Sequence, residues 1–509
     1  MDVGGAPYRS LGIDAIFQYA GSGVQLFSGM IFYVIVARLF NSSGVGAIAL
    51  FVAIIGLFSI IFTFGMNAAA QHFTSYNLGI GDYGSVKATI YKFITYGFCL
   101  SIGGLITLFA VAPMISMIFL HSSNYISLIR MLSVVLFGNI MYGILNGTLL
   151  GFQNFRMTAV INIIIWITYY FGAVAFAVFL KSINTIVFGW MIGICLGVAV
   201  ELIFVIVSLM KYLGPGKAPT NMFIFSYSVP ILLSGLISYG AASADRFVVS
   251  GILNLSSLGI YNFSLLISVS IGFLASPFNN ILMPKFSELF GTGKDKEIKP
   301  TAMVSSTLLS SFYVPSALGI AAIAPLILYL LGGNEYELGA APLRIIMFST
   351  ALFITQNILI QTIASVRKTR LLLYSSLLAL IGNVLISFIL IPRYGLDGAA
   401  IGYSSVFAIT FSSLYYFAWK ADLIDFDKIG LLKIWVASIS MFFVVEVVSN
   451  ILGLKLMFLP FYILLGAGVY LPMVRILRVF KKENKELILS LFPENYVRLK
   501  RVVKFLILY

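Results

Sequence analysis

Apolar runs of about twenty residues recur from one end of the chain to the other, separated by short polar or Gly/Pro-bearing joints. Each run is long enough, as a helix, to cross a hydrocarbon core about 30 Å thick. Lipid offers the backbone no partners, so each run must satisfy its own amides and carbonyls as an α-helix. The pattern predicts fourteen helices, over residues 11–38, 45–70, 88–112, 127–151, 157–180, 185–211, 224–249, 257–283, 302–331, 343–366, 371–391, 396–419, 430–452 and 456–480.

Charge orients the spans. Joints after even-numbered spans collect Lys211, Lys217, Lys285, Lys294, Lys296, Lys299, Arg367, Lys368, Arg370, Lys420 and Lys428, whereas those after odd-numbered spans hold little beyond Lys181, Arg393 and Lys455. Basic joints stay in the cytoplasm, so both termini are expected there. Composition agrees: of 509 residues, 60% are hydrophobic and 10% charged, against about 25% charged in soluble domains. The fold class expected is an all-α polytopic membrane protein.

Several chemistries are disfavoured. Residues 1–23 lack a basic segment followed by a short apolar core and a small-residue cleavage site, so no cleavable signal peptide is expected. Cys99 and Cys195 stand alone, and His72 and His121 are the only histidines, so no disulfide framework, metal site or cofactor is expected. "GPGK" at Gly214 and "GTGK" at Gly291 lack the earlier glycine and the following Ser/Thr of a phosphate loop. No joint is long enough for a catalytic constellation, so the chain is expected not to be an enzyme.

The chain also repeats itself. "SGVGAIAL" (43–50) matches "SSLGIYNF" (256–263), with Gly46 on Gly259 (259 − 46 = 213), and "QHFT" at Gln71 falls on "PKFS" at Pro284. Gly189 falls on Gly402 by the same shift, and Arg130 meets Arg344 with one extra residue. Six spans per copy is an even number, so both copies share one orientation, a parallel repeat. The expected organisation is an N-lobe over 1–213, a cytoplasmic linker over 214–221, a C-lobe over 222–420, two further helices within 430–480, and a tail over 481–509.

Three stretches carry a family resemblance: "ARLFNSSGVGAIAL" (37–50), "ADRFVVSGILNLSSLGIYNFSLL" (244–266) and "LIPRYGLDGAAIG" (390–402). Over residues 10–420 the chain resembles the polysaccharide-biosynthesis (Wzx-type) lipid-linked oligosaccharide flippases. Their superfamily also holds multidrug/cation antiporters and the lipid II flippase. The resemblance implies two six-helix lobes around a central cavity. It also implies transfer of a polyprenyl- or dolichyl-(di)phosphate-linked sugar from the inner to the outer leaflet by alternating access. Membrane lipid, that substrate and glycan polymerase or glycosyltransferase partners are what the resemblance implies; nothing points to nucleic acid.

Polar residues inside a bilayer are costly, so their placement is informative. Span one carries Asp14, Gln18, Ser22, Gln25 and Gly29 as one stripe, and span two carries Ser59, Thr63, Asn67 and Gln71 at i, i+4 spacing. Span seven adds Ser234, Ser238 and Asp245, and span eight Ser264, Ser268, Gly272, Ser276 and Asn280. Small hydroxyl residues can serve helix packing alone. The carboxylates and amides favour a hydrated, substrate-facing wall of Asp14, Gln18, Gln25, Asn67, Gln71, Ser234, Ser238, Asp245 and Asn280.

Arginine suits phosphate because its planar fork pairs with two oxygens and never deprotonates. Arg246, Arg38, Arg130 and Arg344 are the candidate phosphate contacts, with snorkelling to the interface as the competing reading of each. No lysine or arginine lies at the middle of spans one, two, seven or eight. Glu201 and Glu446 are mid-membrane carboxyls, readable as proton or sodium sites or as protonated structural groups. After Pro493, Arg498, Lys500, Arg501 and Lys504 alternate with apolar residues, either as an amphipathic segment on the anionic leaflet or as a solvated helix. The rival functions are a multidrug/cation antiporter of the same fold and a non-transporting scaffold for glycan-assembly enzymes.

Overall fold

The computed structural model describes residues 6–480 apart from Lys211, Leu213, Leu274, Ala275, Arg367 and Asp422; side chains of 6–16, 276–281, 284, 295 and 296 are also outside the description. The basic tail falls outside the described residues. Among them are seventeen α-helices and three short 3₁₀ turns, with no strand. Thirteen helical stretches are long and apolar enough to cross a membrane. One of these, α15 (Thr369–Lys420), runs 52 residues but breaks at Gly395 (φ 56°, ψ −127°). Only a residue without Cβ takes that conformation at no steric cost, and counting α15 as two crossings gives the fourteen that the pattern predicts.

The first compact unit is Met1–Gly259. It holds α1 (Ala6–Leu39), α2 (Ser42–Thr63), α3 (Met66–Gly79), α4 (Tyr83–Phe119), α5 (Ile126–Gly151), α6 (Phe155–Leu180), α7 (Ile183–Leu209) and α8 (Asn221–Ile252). α6 and α5 both pack along α7, α1 lies along α6, and α4 along α5. Val86, Ile90, Leu145, Ile161, Ile165 and Val205 form a buried apolar cluster among α4 to α7.

The second span differs from its expected form. It is two helices, because Phe64 (φ 54°) and Gly65 (φ 70°) take left-handed conformations between α2 and α3. A Cβ at Gly65 would lie 2.5 Å from the carbonyl oxygen of Ser228 on α8, so this break is also where another backbone comes close. Ser59 and Thr63 therefore sit on α2 while Asn67 and Gln71 sit on α3. Their i, i+4 spacing does not make one continuous face.

α8, the first helix of the second repeat, packs on α2 and α3, so the contact boundary falls at Gly259, beyond the linker. Bare backbone also lets residues 255–259, just beyond α8, approach α2 closely. A Cβ at Gly46 would sit 1.7 Å from the Leu255 carbonyl oxygen, and one at Gly259 would sit 2.0 Å from that of Ser42. Ser42 Oγ and Ser256 Oγ share a hydrogen bond of 2.6 Å at the same crossing. Tyr239 donates to the Ala53 carbonyl at 2.7 Å, entering the gap left by Gly56.

The second unit, Ile260–Tyr509, begins within α9 (Leu255–Phe273). It continues with α10 (Ser276–Gly291), α11 (Asp295–Ala322), α12 (Ala324–Gly332), α13 (Ala340–Thr350), α14 (Phe353–Ser365), α15, α16 (Lys428–Leu452) and α17 (Leu459–Ile476). Expected spans nine and ten are each divided. Pro325, at the first turn of α12, supplies no amide hydrogen to continue α11. α16 packs along α11, and α17 along α16. Tyr470 ties α17 to α11 by donating to the Ser311 carbonyl at 2.6 Å.

Helix limits recur with the spacing seen in the sequence. α1 ends at Leu39 and α8 at Ile252 (252 − 39 = 213); α2 begins at Ser42 and α9 at Leu255 (255 − 42 = 213). α4 ends at Phe119 and α12 at Gly332 (332 − 119 = 213). α16 and α17 have no counterpart in the first copy.

Candidate functional site

The best-defined polar cluster lies inside the first unit, on three helices that sequence spacing alone does not connect. Tyr142 and Asn146 stand four residues apart on α5, hence on one face. Asn146 Nδ2 donates to Asn162 Oδ1 on α6 at 2.7 Å and to Glu201 Oε1 on α7 at 3.0 Å. Tyr142 donates to the same Asn162 oxygen at 3.1 Å, and its ring meets Trp166 edge to face at 5.8 Å. Glu201 is fully buried. A polar group withdrawn from water is costly unless hydrogen-bonded, and this network supplies most of the bonds.

The second unit brings two candidates together. Arg344 Nη2 lies 3.0 Å from Glu446 Oε1, linking α13 to α16, and Arg344 Nε donates to the Ala321 carbonyl at 3.3 Å. Arg344 is occupied by this carboxylate, and Glu446 by this guanidinium. The pair holds a terminal helix against the repeat.

The other candidates divide between packing and exposure. Gln18 donates to the Phe155 carbonyl at 2.8 Å, fastening α1 to the start of α6. Gln25, Asn67, Gln71, Ser234 and Ser238 are exposed, and Ser234 returns its hydroxyl to the Ile231 carbonyl. Asp245 is fully buried on α8, beside half-buried Arg246; both lie within electrostatic reach of Tyr239, which hydrogen-bonds Ser243. Arg38 is exposed in the last turn of α1. Arg130 stacks on the Phe109 ring at 4.8 Å, a cation–π contact. The side chains of Asp14 and Asn280 lie outside the described residues.

Two cavities in the second unit have contrasting linings. One, about 490 Å³, is walled by α11, α16 and α17 through residues such as Leu308, Ile320, Met441, Ile463 and Tyr470, and is almost wholly apolar. The other, about 550 Å³, gathers Lys368, Arg370 and Lys420 at the ends of α15. These cations served in the sequence only as topology markers. Asn146 and Asn162 were missed as well, because no sequence spacing joins single amides on two helices to a carboxyl on a third.

Among the described residues no group of three or more His, Cys, Asp or Glu side chains could hold a metal ion. The helices and their repeat define a polytopic α-helical membrane protein. The chain belongs to the polysaccharide biosynthesis protein family, whose model matches residues 35–340. The resemblance read from the sequence falls on that family.

Individual relatives are distant. The chain is 24% identical over 196 residues to the capsular polysaccharide biosynthesis protein CapF of Staphylococcus aureus, covering 38% of this chain and 49% of that one. It is 21% identical over 391 residues to the probable low-salt glycan biosynthesis flippase Agl15 of Haloferax volcanii, covering 76% and 78%. Two of the curated relatives it matches are spanned over less than half of their own length, 42% and 49%. Among solved structures, the lipid II flippase MurJ in an inward closed conformation is similar in fold. Its TM-score is 0.73 at 16% identity, covering 93% of this chain and 100% of that one.

Proposed function

We propose that this protein carries a lipid-linked oligosaccharide, on a polyprenyl or dolichyl phosphate or diphosphate, from the inner to the outer leaflet by alternating access. The observation that carries the reading is the family match over residues 35–340. The flippase named among its relatives supports it. So does the apolar cavity between α11, α16 and α17, whose lining suits a length of prenyl chain. The cell membrane, with both termini cytoplasmic, is the location this implies, and polymerases or glycosyltransferases of glycan assembly are the partners. Transport without covalent chemistry is the activity proposed.

Phosphate contact is assigned to Arg38, Arg130 and Arg246 with the basic pocket at Lys368, Arg370 and Lys420, and to Arg344 where its pairing with Glu446 opens. Membrane voltage is the proposed drive. Exporting about two negative charges from an inside-negative cell yields about 4–5 kcal/mol at 100 mV.

Liposomes holding the purified full-length protein and a fluorescent polyprenyl-diphosphate oligosaccharide test both statements. Outer-leaflet label should rise in protein-containing vesicles and slow when valinomycin and matched potassium collapse the potential. Equal label in empty and protein-containing vesicles would sink the flippase reading. Efflux of a cationic dye down a pH or sodium gradient, without lipid movement, would replace it with the antiporter.

A further inference from the structure

Glu201 has one oxygen that meets no polar atom. Oε1 accepts from Asn146, whereas Oε2 is buried without a hydrogen-bond partner. Around it α5 presents Tyr142 and Asn146, and α6 presents Asn162; no lysine, arginine or second carboxyl pairs with it among the described residues. An ionised carboxylate buried without a cation is strongly disfavoured. A metal cation needs several free oxygens at once. Here Asn162 Oδ1 already accepts two hydrogen bonds and Glu201 Oε1 one, which leaves Oε2 alone. One proton fits that donor set.

An opening lies one to two turns further along the same three helices. A cavity of about 110 Å³ is lined by Leu149 on α5, Asn154, Met157 and Thr158 at the start of α6, and Phe204 and Ser208 on α7. Thr158 stands one turn from Asn162, and Phe204 and Ser208 stand three and seven residues from Glu201, on the same side of α7. The space accommodates several waters and has polar partners for them.

We propose that Glu201 is a proton-binding site within the first unit, loaded and emptied through the cavity between the ends of α5, α6 and α7. The step is Glu201–CO₂H to Glu201–CO₂⁻ with the proton passing to water in that cavity; no other bond changes. Losing the proton strands a charge among three packed helices. Ionisation therefore favours whichever arrangement of α5, α6 and α7 admits water, tying protonation to conformation. On the transport reading above, that makes the proton a coupling ion.

Infrared difference spectra of the full-length protein in lipid nanodiscs, between neutral and alkaline pH, test the site directly. Carboxyl-¹³C glutamate should shift a protonated-carboxyl band in the wild type, and Glu201→Gln should abolish it. Ser208→Leu, which fills the cavity, should slow its exchange into D₂O several-fold. Absence of a label-sensitive band in the wild type overturns the proposal even if Glu201→Gln fails to fold. So does a band that survives Glu201→Gln, or an exchange rate untouched by Ser208→Leu. No transported substrate enters these measurements, so their failure is separate from failure of the flippase reading.

Discussion

Matching positions of the two repeats have been put to different uses. With the shift of 213, Glu201 falls on Leu414 (414 − 201 = 213) and Asn162 on Ser375 (375 − 162 = 213). Leu414 is buried and apolar, and Ser375 spends its hydroxyl on the Thr410 carbonyl and Ser413, one turn apart on α15. Arg130 and Arg344 both stand near the start of equivalent helices, yet one lies on a phenylalanine ring and the other on a carboxylate from α16. The duplicated scaffold keeps several of its helix limits. Its interior polar groups are free to diverge, since each is settled by whichever neighbour arrives. The first unit buries a carboxyl with amides for company, and the second pairs a half-exposed carboxylate with a guanidinium.

The largest effect expected from breaking this contrast is Leu414→Glu, which places a carboxyl where no amide awaits it. A buried unpaired charge costs several kcal/mol, so the purified variant should lose much of its thermal stability, whereas Glu201→Leu should lose far less. Comparable losses would mean that the amide network does little for Glu201. Gly46→Val comes next. Its Cβ has the Leu255 carbonyl within 1.7 Å, and overpacking of this kind costs about 1–3 kcal/mol. The melting point should fall clearly, and an unchanged one would refute the close crossing.

Arg344→Gln is expected to cost about 1–3 kcal/mol by leaving Glu446 unpaired, and Glu446→Gln in the same chain should restore part of it. Arg130→Gln, losing only a ring contact at an exposed site, should cost less than about 1 kcal/mol. Equal penalties at the two arginines would erase the distinction between them. The smallest effect is at Asp82, the exposed cap of α4, whose carboxyl accepts from Ser85 at 3.0 Å and is held below the usual aspartate range by that contact. Its folded value is depressed, so its contribution is present above the unfolded aspartate value of about 3.9 and fades as pH falls through the folded one. A thermal scan against pH should show a shallow acid-side decline that Asp82→Ala removes.

Span number was legible in the sequence because hydrophobic length is a local signal. The break at Phe64–Gly65 was not. A single glycine in an apolar run reads as continuous helix, and it is the approach of Ser228, far along the chain, that makes the left-handed turn worthwhile. Glu201 stood out as a mid-span charge, but Asn146 and Asn162 each looked incidental until three helices met. The stripes on spans one, two and seven are real patterns in the sequence. In the structure Gln18 anchors a neighbouring backbone and Asp245 is enclosed, so periodicity marked polarity without telling which residues face a substrate. Nothing local in the chain joins Arg344 to a carboxyl 102 positions later (446 − 344 = 102).

That separation has a consequence for biosynthesis. At about 5–20 residues per second, roughly 5–20 s pass between translation of Arg344 and translation of Glu446. During that interval the guanidinium has no Glu446 carboxylate to pair with. The last helices thus act as a lock that closes late. A ribosome stalled before α16 should leave a nascent chain whose second unit stays open to protease or to a chaperone, while the first is already sealed.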